Sequence, residues 1–166
     1  MSEDDLPKHW RWREEAPRPP GPAVIFDMDG VLSDATGRQH NLEGPGRKDW
    51  MGFFLACGED PAIESAVRLA QLLDPEVAVV LLTGRPIRVR RLTRDWLARH
   101  GVRWDLLIMR PSGDYGASLA YKRKTIAELR DLGYDVRLAF EDDVRNVEMF
   151  QSEGVPCVYL HSGYYE

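Results

Sequence analysis

The sequence predicts an open α/β fold, a mainly parallel sheet with helices on both faces. Three observations carry that expectation. Short apolar runs alternate with longer amphipathic stretches from residue 23 onward. Strands that alternate with helices build β–α–β units, whose strands lie parallel and are covered on both sides. Gly101, Gly133 and Gly154 each follow an amphipathic stretch, where a helix C-terminus favours a left-handed residue. Polar residues collect where the apolar runs end, and open parallel sheets bind ligands beyond the carboxyl ends of their strands.

Residues 1–22 are polar and end in Pro17-Arg18-Pro19-Pro20-Gly21-Pro22. They are expected to be a flexible, extended tail before one domain over 23–166. His9-Trp10-Arg11-Trp12 is the exception, because paired tryptophans pack on something. Either the domain's own surface or a partner would cover them, and the domain's own surface is the better candidate.

The first strand is placed at 23–27, a run of β-formers that delivers Asp27 and Asp29 to its carboxyl end. Residues 33–59 then break the alternation with Gly37, Gly44, Pro45, Gly46 and Gly58 around an apolar patch, Trp50 to Leu55. A flap and a short helix over the strand end are expected there, in a segment too short for a separate domain. Asp60-Pro61 reads as an N-cap acid followed by proline at the first helical position, which opens a helix over 61–73. Strands at 77–82, 105–109, 136–140 and 156–160 then alternate with helices at 86–100, 119–132 and 144–153.

Composition excludes several classes. The chain has 166 residues and a net charge of −5, which suits one soluble domain with no global pull toward nucleic acid or anionic membrane. Cys57 and Cys157 stand far apart, so neither a disulfide scaffold nor a zinc cluster is expected, and Cys157 reads as a core thiol. No apolar run approaches a membrane span, and the N-terminus lacks a basic-then-apolar leader. The expectation is a cytoplasmic protein.

The chemistry lies at the strand ends. Two carboxylates one residue apart point to opposite sides of an ideal strand, so Gly30 must let the backbone turn if Asp27 and Asp29 are to share a site. Asp27 can attack phosphorus, and Asp29 can protonate the leaving oxygen and then activate water. Thr83 and Gly84 can hydrogen-bond phosphate at a helix N-terminus, and Arg85 can grip it with a bidentate fork. Lys122 or Lys124 would neutralise the phosphoryl charge and keep Asp27 ionised. Asp142 would complete a cation site, with Glu141 and Asp143 within or just outside its ligand set. Ligands that are all oxygen suit Mg²⁺. Each group alone fits an ordinary turn, cap or solvated helix face; their order along one chain sets them apart.

These motifs resemble the haloacid dehalogenase-like superfamily of phosphohydrolases. They match it at Asp27-Met28-Asp29-Gly30-Val31-Leu32, then Thr83, then Lys122, then Glu141-Asp142. Within it, the chain is most similar to the 3′-phosphatase domain of bacteriophage-type polynucleotide kinase/phosphatases. The matching segments are Thr83-Gly84-Arg85 with Arg94-Asp95-Trp96-Leu97, and Glu141-Asp142-Asp143 through Val147-Glu148-Met149-Phe150. Glu141 stands where that family often has Asp, and no GxxxxGK[ST] kinase motif occurs.

The resemblance implies a Rossmann-like sheet without a large cap. It implies Asp27 as nucleophile, Asp29 as general acid and base, Lys122 as stabilising lysine, and phosphate held by Thr83 and Arg85. Mg²⁺ would take the Asp27 carboxylate, the Asp29 carbonyl and Asp142. The activity implied is phosphomonoester hydrolysis through an aspartyl-phosphate, on nucleic-acid 3′-phosphate ends or nucleotides. A stand-alone phosphatase module is expected, with a separate kinase or ligase as the partner class it leaves open. A small-molecule phosphatase acting on a mononucleotide or sugar phosphate is the alternative, and a non-catalytic binding module a weaker one. Eight arginines between 85 and 110 favour nucleic acid, and Arg85, Arg88 and Arg91 would share one helical face near the entrance.

Overall fold

The computed structural model describes residues 6–165. Strand β1 is Trp10–Trp12 and β2 is Pro22–Phe26. The segment after β2 holds a 3-10 turn, Thr36–Leu42, helix α1, Trp50–Leu55, and a second 3-10 turn, Ala56–Glu59. Helix α2 is Glu64–Leu72, β3 is Ala78–Pro86 and α3 is Arg90–Arg99. Then come β4, Leu106–Arg110, α4, Ser118–Asp131, β5, Asp135–Glu141, α5, Val144–Ser152, and β6, Cys157–Tyr159.

The six strands form one sheet in the order β1-β4-β3-β2-β5-β6. All pairs are parallel except β1 with β4. The expected α/β architecture is therefore present with no large cap; residues 33–59 hold the two 3-10 turns and α1. Apolar side chains fill both faces. Phe26, Leu81, Trp96 and Leu107 lie in one buried cluster, and Ile25, Val80, Ile108 and Phe150 in the other. Among the described residues, no helix is long and apolar enough to cross a membrane.

Strand β2 sits centrally. Ile25 lies opposite Val80 of β3 and Ala139 of β5, so Asp27 emerges between the ends of those two strands. This register gathers Asp27, Thr83 and Glu141 from three distant parts of the sequence.

The structure corrects four local expectations. Residues 10–12 are an edge strand rather than tail. Trp10 and Trp12 alternate inward with exposed Arg11, as a half-buried strand requires. Arg18 pins the following segment by bonding Asp105 Oδ2 and the carbonyls of Pro75 and Val77. Helix α2 begins at Glu64, not Pro61, because the Asp60 carboxylate is buried on Arg38 and Ser33 and is not free to cap. Thr83–Arg85 extend β3 instead of opening a helix. Pairing of β3 with β4 is interrupted between Leu82 and Pro86, which releases these residues toward the strand ends. Cys157 is only half-buried, because β6 forms the open edge of the sheet.

Candidate active site

The backbone turns sharply after Asp27. The amides of Val31, Leu32 and Ser33 all donate to the Met28 carbonyl, and Gly30 has φ +85°. Any Cβ on Gly30 would meet Asp142 Oδ2 at 2.1 Å, so both conformation and space require glycine. The turn sends Asp27 and Asp29 into different surroundings.

Asp27 joins an acidic cluster. One oxygen each from Asp27, Glu141 and Asp142 lie within 4.8 Å of one another. Lys122 Nζ donates to Glu141 Oε2 at 2.7 Å and to Asp27 Oδ1 at 3.1 Å. Three carboxylates thus face one ammonium, all buried. Burial, then Glu141, push Asp27 well above the usual carboxylate range despite Lys122. Burial opposes the charge on Lys122, but Asp27 and Glu141 hold it above the ordinary lysine range. Burial also raises Asp142, up to about 7.

Both Asp142 carboxylate oxygens are buried and meet no donor in hydrogen-bond geometry. Unpartnered buried oxygens are costly. A cation fits that deficit, and a donor set made wholly of oxygen suits a hard ion such as Mg²⁺. Glu141 is itself a member of this cluster, and its other oxygen accepts the amides of Asp142 and Asp143. Asp143 stands aside, capping α5 through the Arg145 amide and pairing with the Arg145 guanidinium. Of the two candidate lysines, Lys122 points into the cluster. Lys124 is exposed and pairs with Glu128 one turn along α4.

Asp29 joins a cluster rich in arginine. Its Oδ1 accepts from Arg85 at 2.6 Å and from Arg38 at 2.7 Å. Arg38 also holds both oxygens of Asp60, whose Oδ2 accepts from Ser33 Oγ as well. Burial opposes the charge on Asp29, yet Arg85 and Arg38 hold its carboxyl below the usual range. Arg85 is fully buried and also donates to Thr93 and Ser33. Its fork is committed within the protein, so it positions Asp29 and makes no open phosphate grip. This corrects the role expected from its position after Thr83-Gly84.

Arg38 and Asp60 are the residues sequence reasoning missed. Arg38 lay in the predicted flap, and Asp60 was explained as a helix cap. A basic residue in the segment that must cover an acidic strand end was the available signal. Arg38 also donates to the Phe53 carbonyl, and its guanidinium lies 4.4 Å from the Phe53 ring centroid, which ties α1 to Asp29.

A cavity of about 590 Å³ opens over the strand ends, with Asp27, Asp29, Thr83, Gly84 and Lys122 in its walls. Thr83 Oγ1 accepts the Arg85 amide, which leaves its hydroxyl proton able to donate into the cavity. Arg88 and Arg91 do not line it. Arg85, Arg88 and Arg91 share no helical face either, since they lie on β3, in the 3-10 turn Ile87–Val89 and on α3. Arg91 is 94% exposed and lies 3.9 Å from Asp95.

The family model described as polynucleotide kinase PNKP phosphatase domain matches residues 21–165. Solved structures agree on the fold. A chain of the Pnkp1/Rnl/Hen1 RNA repair complex is 25% identical, with a TM-score of 0.67; the match covers 91% of this chain and 45% of that one. This chain therefore spans less than half of that relative. A HAD-like phosphatase from Mesorhizobium loti is 12% identical, with a TM-score of 0.59, over 88% of this chain and 75% of that one. A haloacid dehalogenase-like family hydrolase from Streptococcus pneumoniae is 13% identical, with a TM-score of 0.57, over 82% and 83%.

Proposed function

The chain belongs to the polynucleotide kinase PNKP phosphatase domain family and is a phosphatase of the haloacid dehalogenase-like type; on that premise we propose a Mg²⁺-dependent phosphomonoesterase, acting through an aspartyl-phosphate on nucleic-acid 3′-phosphate ends. One observation carries the reading most. Asp27 ends the central strand against a buried lysine and a set of oxygen donors with unpartnered atoms.

Asp27, Asp142 and the Asp29 carbonyl would hold the ion, with Glu141 beside them. When bound, the ion offsets repulsion between the carboxylate nucleophile and the anionic substrate. Lys122 opposes the rise that burial and Glu141 impose on Asp27, the ion would favour its ionised form further, and Lys122 faces the charge on the phosphoryl oxygens while Thr83 donates to one of them. An Asp27 oxygen attacks phosphorus as the bond to the ester oxygen breaks. Asp29, oriented by Arg38 and Arg85, relays a proton from the bound monoester to that leaving oxygen. Water then attacks phosphorus and gives its proton to Asp29, which passes it on to solvent. The bond to Asp27 breaks, and phosphate leaves.

A reaction that generates 3′-phosphate ends must supply the substrate. A ligase is the partner class that would use the resulting 3′-hydroxyl, with a separate kinase supplying the 5′-phosphate of the facing end; the similar chain stands in an RNA repair complex. The test is phosphate release from a 3′-phosphorylated oligonucleotide, a 3′-mononucleotide, a 5′-mononucleotide and a sugar phosphate. Preference for the 3′-phosphates is expected. Preference for the 5′-nucleotide or the sugar phosphate would replace the polynucleotide reading with a small-molecule phosphatase.

A further inference from the structure

We propose that the groove beside α1 is a track for single-stranded polynucleotide, with Trp50 as the residue on which a base stacks. The proposal rests on the 3′-end reading for which end of the strand enters the site; the groove's own geometry and charge carry the binding.

The catalytic cavity does not end at the catalytic residues. It shares Lys48, Trp50, Phe54 and Arg110 with a second cavity of about 840 Å³. That cavity in turn shares Arg88 with a third, of about 950 Å³, walled by Arg13, Arg90, Arg91 and Arg94. The catalytic cavity and the cavity beside α1 thus have a common wall, and the third adjoins the second at Arg88. The arginine excess seen in the sequence lines mostly the third cavity rather than the catalytic one.

The cavity beside α1 combines the two features that single strands need. Trp50 is 50% exposed although it is a large aromatic, and its ring is steadied by Phe54 at 5.9 Å and Phe53 at 5.8 Å. Tyr115, 94% exposed, lies on the same cavity. Lys48 and Arg88 make no ion pair among the described residues. The acids of this wall are engaged locally, Asp49 on the Gly52 amide and Asp114 on the Gly116 amide. An aromatic platform in one cavity with unpaired cations suits bases and phosphates. It selects single strands, because a base must leave its partner to lie on an indole. A protein partner would not need cations in a cavity that shares a wall with a phosphatase pocket.

The experiment uses intrinsic tryptophan fluorescence of the whole chain, titrated with an oligonucleotide that lacks a 3′-phosphate. Trp10, Trp12, Trp96 and Trp104 are at most 6% exposed, so quenching by the strand reports Trp50. Quenching by the single strand is expected, with much weaker quenching by a blunt duplex. Trp50→Ala, assayed by anisotropy of a labelled strand, should bind roughly tenfold more weakly. Lys48→Glu with Arg88→Glu should flatten the salt dependence of binding. No quenching, equal quenching by duplex, or unchanged affinity in Trp50→Ala would overturn the track. The two claims separate cleanly. Release of 3′-phosphate without Trp50-dependent binding sinks the track alone, whereas Trp50-dependent binding without phosphate release sinks the 3′-phosphatase reading alone.

Discussion

Asp27 and Asp29 leave the same strand end, yet one enters a nest of acids and the other a nest of arginines. Around Asp27, three buried carboxylates cluster, one lysine pairs with Asp27 and Glu141, and the oxygens of Asp142 find no donor. Around Asp29, two buried arginines meet two carboxylates, and each guanidinium is held by several acceptors. The first cluster is incomplete as protein, and a cation there would satisfy it. The second is complete already and serves to hold a carboxylate in place. Environments that push two neighbouring carboxyls in opposite directions mark a division of labour. A buried pair that is already balanced resists the loss of either partner, while a crowded acidic site tolerates the loss of one charge.

The contrast can be broken most sharply at Asp27. Asp27→Asn should cut phosphate release by at least about a thousandfold. Its metal-free melting temperature should match or exceed the wild type, since one of three crowded acids is removed. A large drop in melting temperature would mean that the acidic cluster is a structural network like its neighbour. Arg85→Met should act in the opposite sense on stability. It leaves Asp29 and Asp60 to Arg38 alone, and urea unfolding should show a loss of about 3–5 kcal/mol. A variant as stable as the wild type would contradict the arginine nest.

Mg²⁺ should stabilise the acidic cluster and leave the arginine cluster unchanged. At a hundredfold excess over its Kd it should add about 2.7 kcal/mol in thermal or urea unfolding. The gain should vanish in Asp142→Ala and persist in Asp60→Asn. The smallest effect is set by pH. Arg85 and Arg38 depress Asp29, so its folded pKa lies below the unfolded value of about 3.9. Its contribution to stability is therefore full above about pH 4 and is lost as pH falls through the folded pKa. Asp29→Asn should remove that part of the acid limb of a stability-versus-pH curve. A wild-type curve that Asn reproduces in the acid range would separate Asp29 from the arginines.

Much of this was legible because parallel sheets follow a rule. Asp27, Thr83 and Glu141 each follow an apolar run, and strand ends of an open sheet converge, so their meeting could be anticipated without coordinates. Lys122 and Lys124 could not be told apart, since which face of α4 packs inward depends on the sheet beneath it. Arg38 and Asp60 were hidden for a different reason. Their partnership with Asp29 and Arg85 closes loops of 9 to 56 residues through the flap, which has no periodic pattern to read. Asp60 also carried a local explanation, a helix cap, that tertiary ion pairing overrode. Trp10–Trp12 escaped because three residues are too few to show alternation, and their antiparallel pairing with β4 lies outside the β–α–β pattern. Arg85 was placed at the site but given the wrong task, since a sequence shows a guanidinium and not what already holds it.

The most direct measurement is phosphate release from a 3′-phosphorylated oligonucleotide by the wild type and by Asp27→Asn, each with Mg²⁺ and after EDTA. Release is expected from the wild type with Mg²⁺ alone, and none above background under the other three conditions. Release that survives EDTA, or that Asp27→Asn retains, would contradict the assignment of the acidic cluster as the metal-assisted nucleophilic centre.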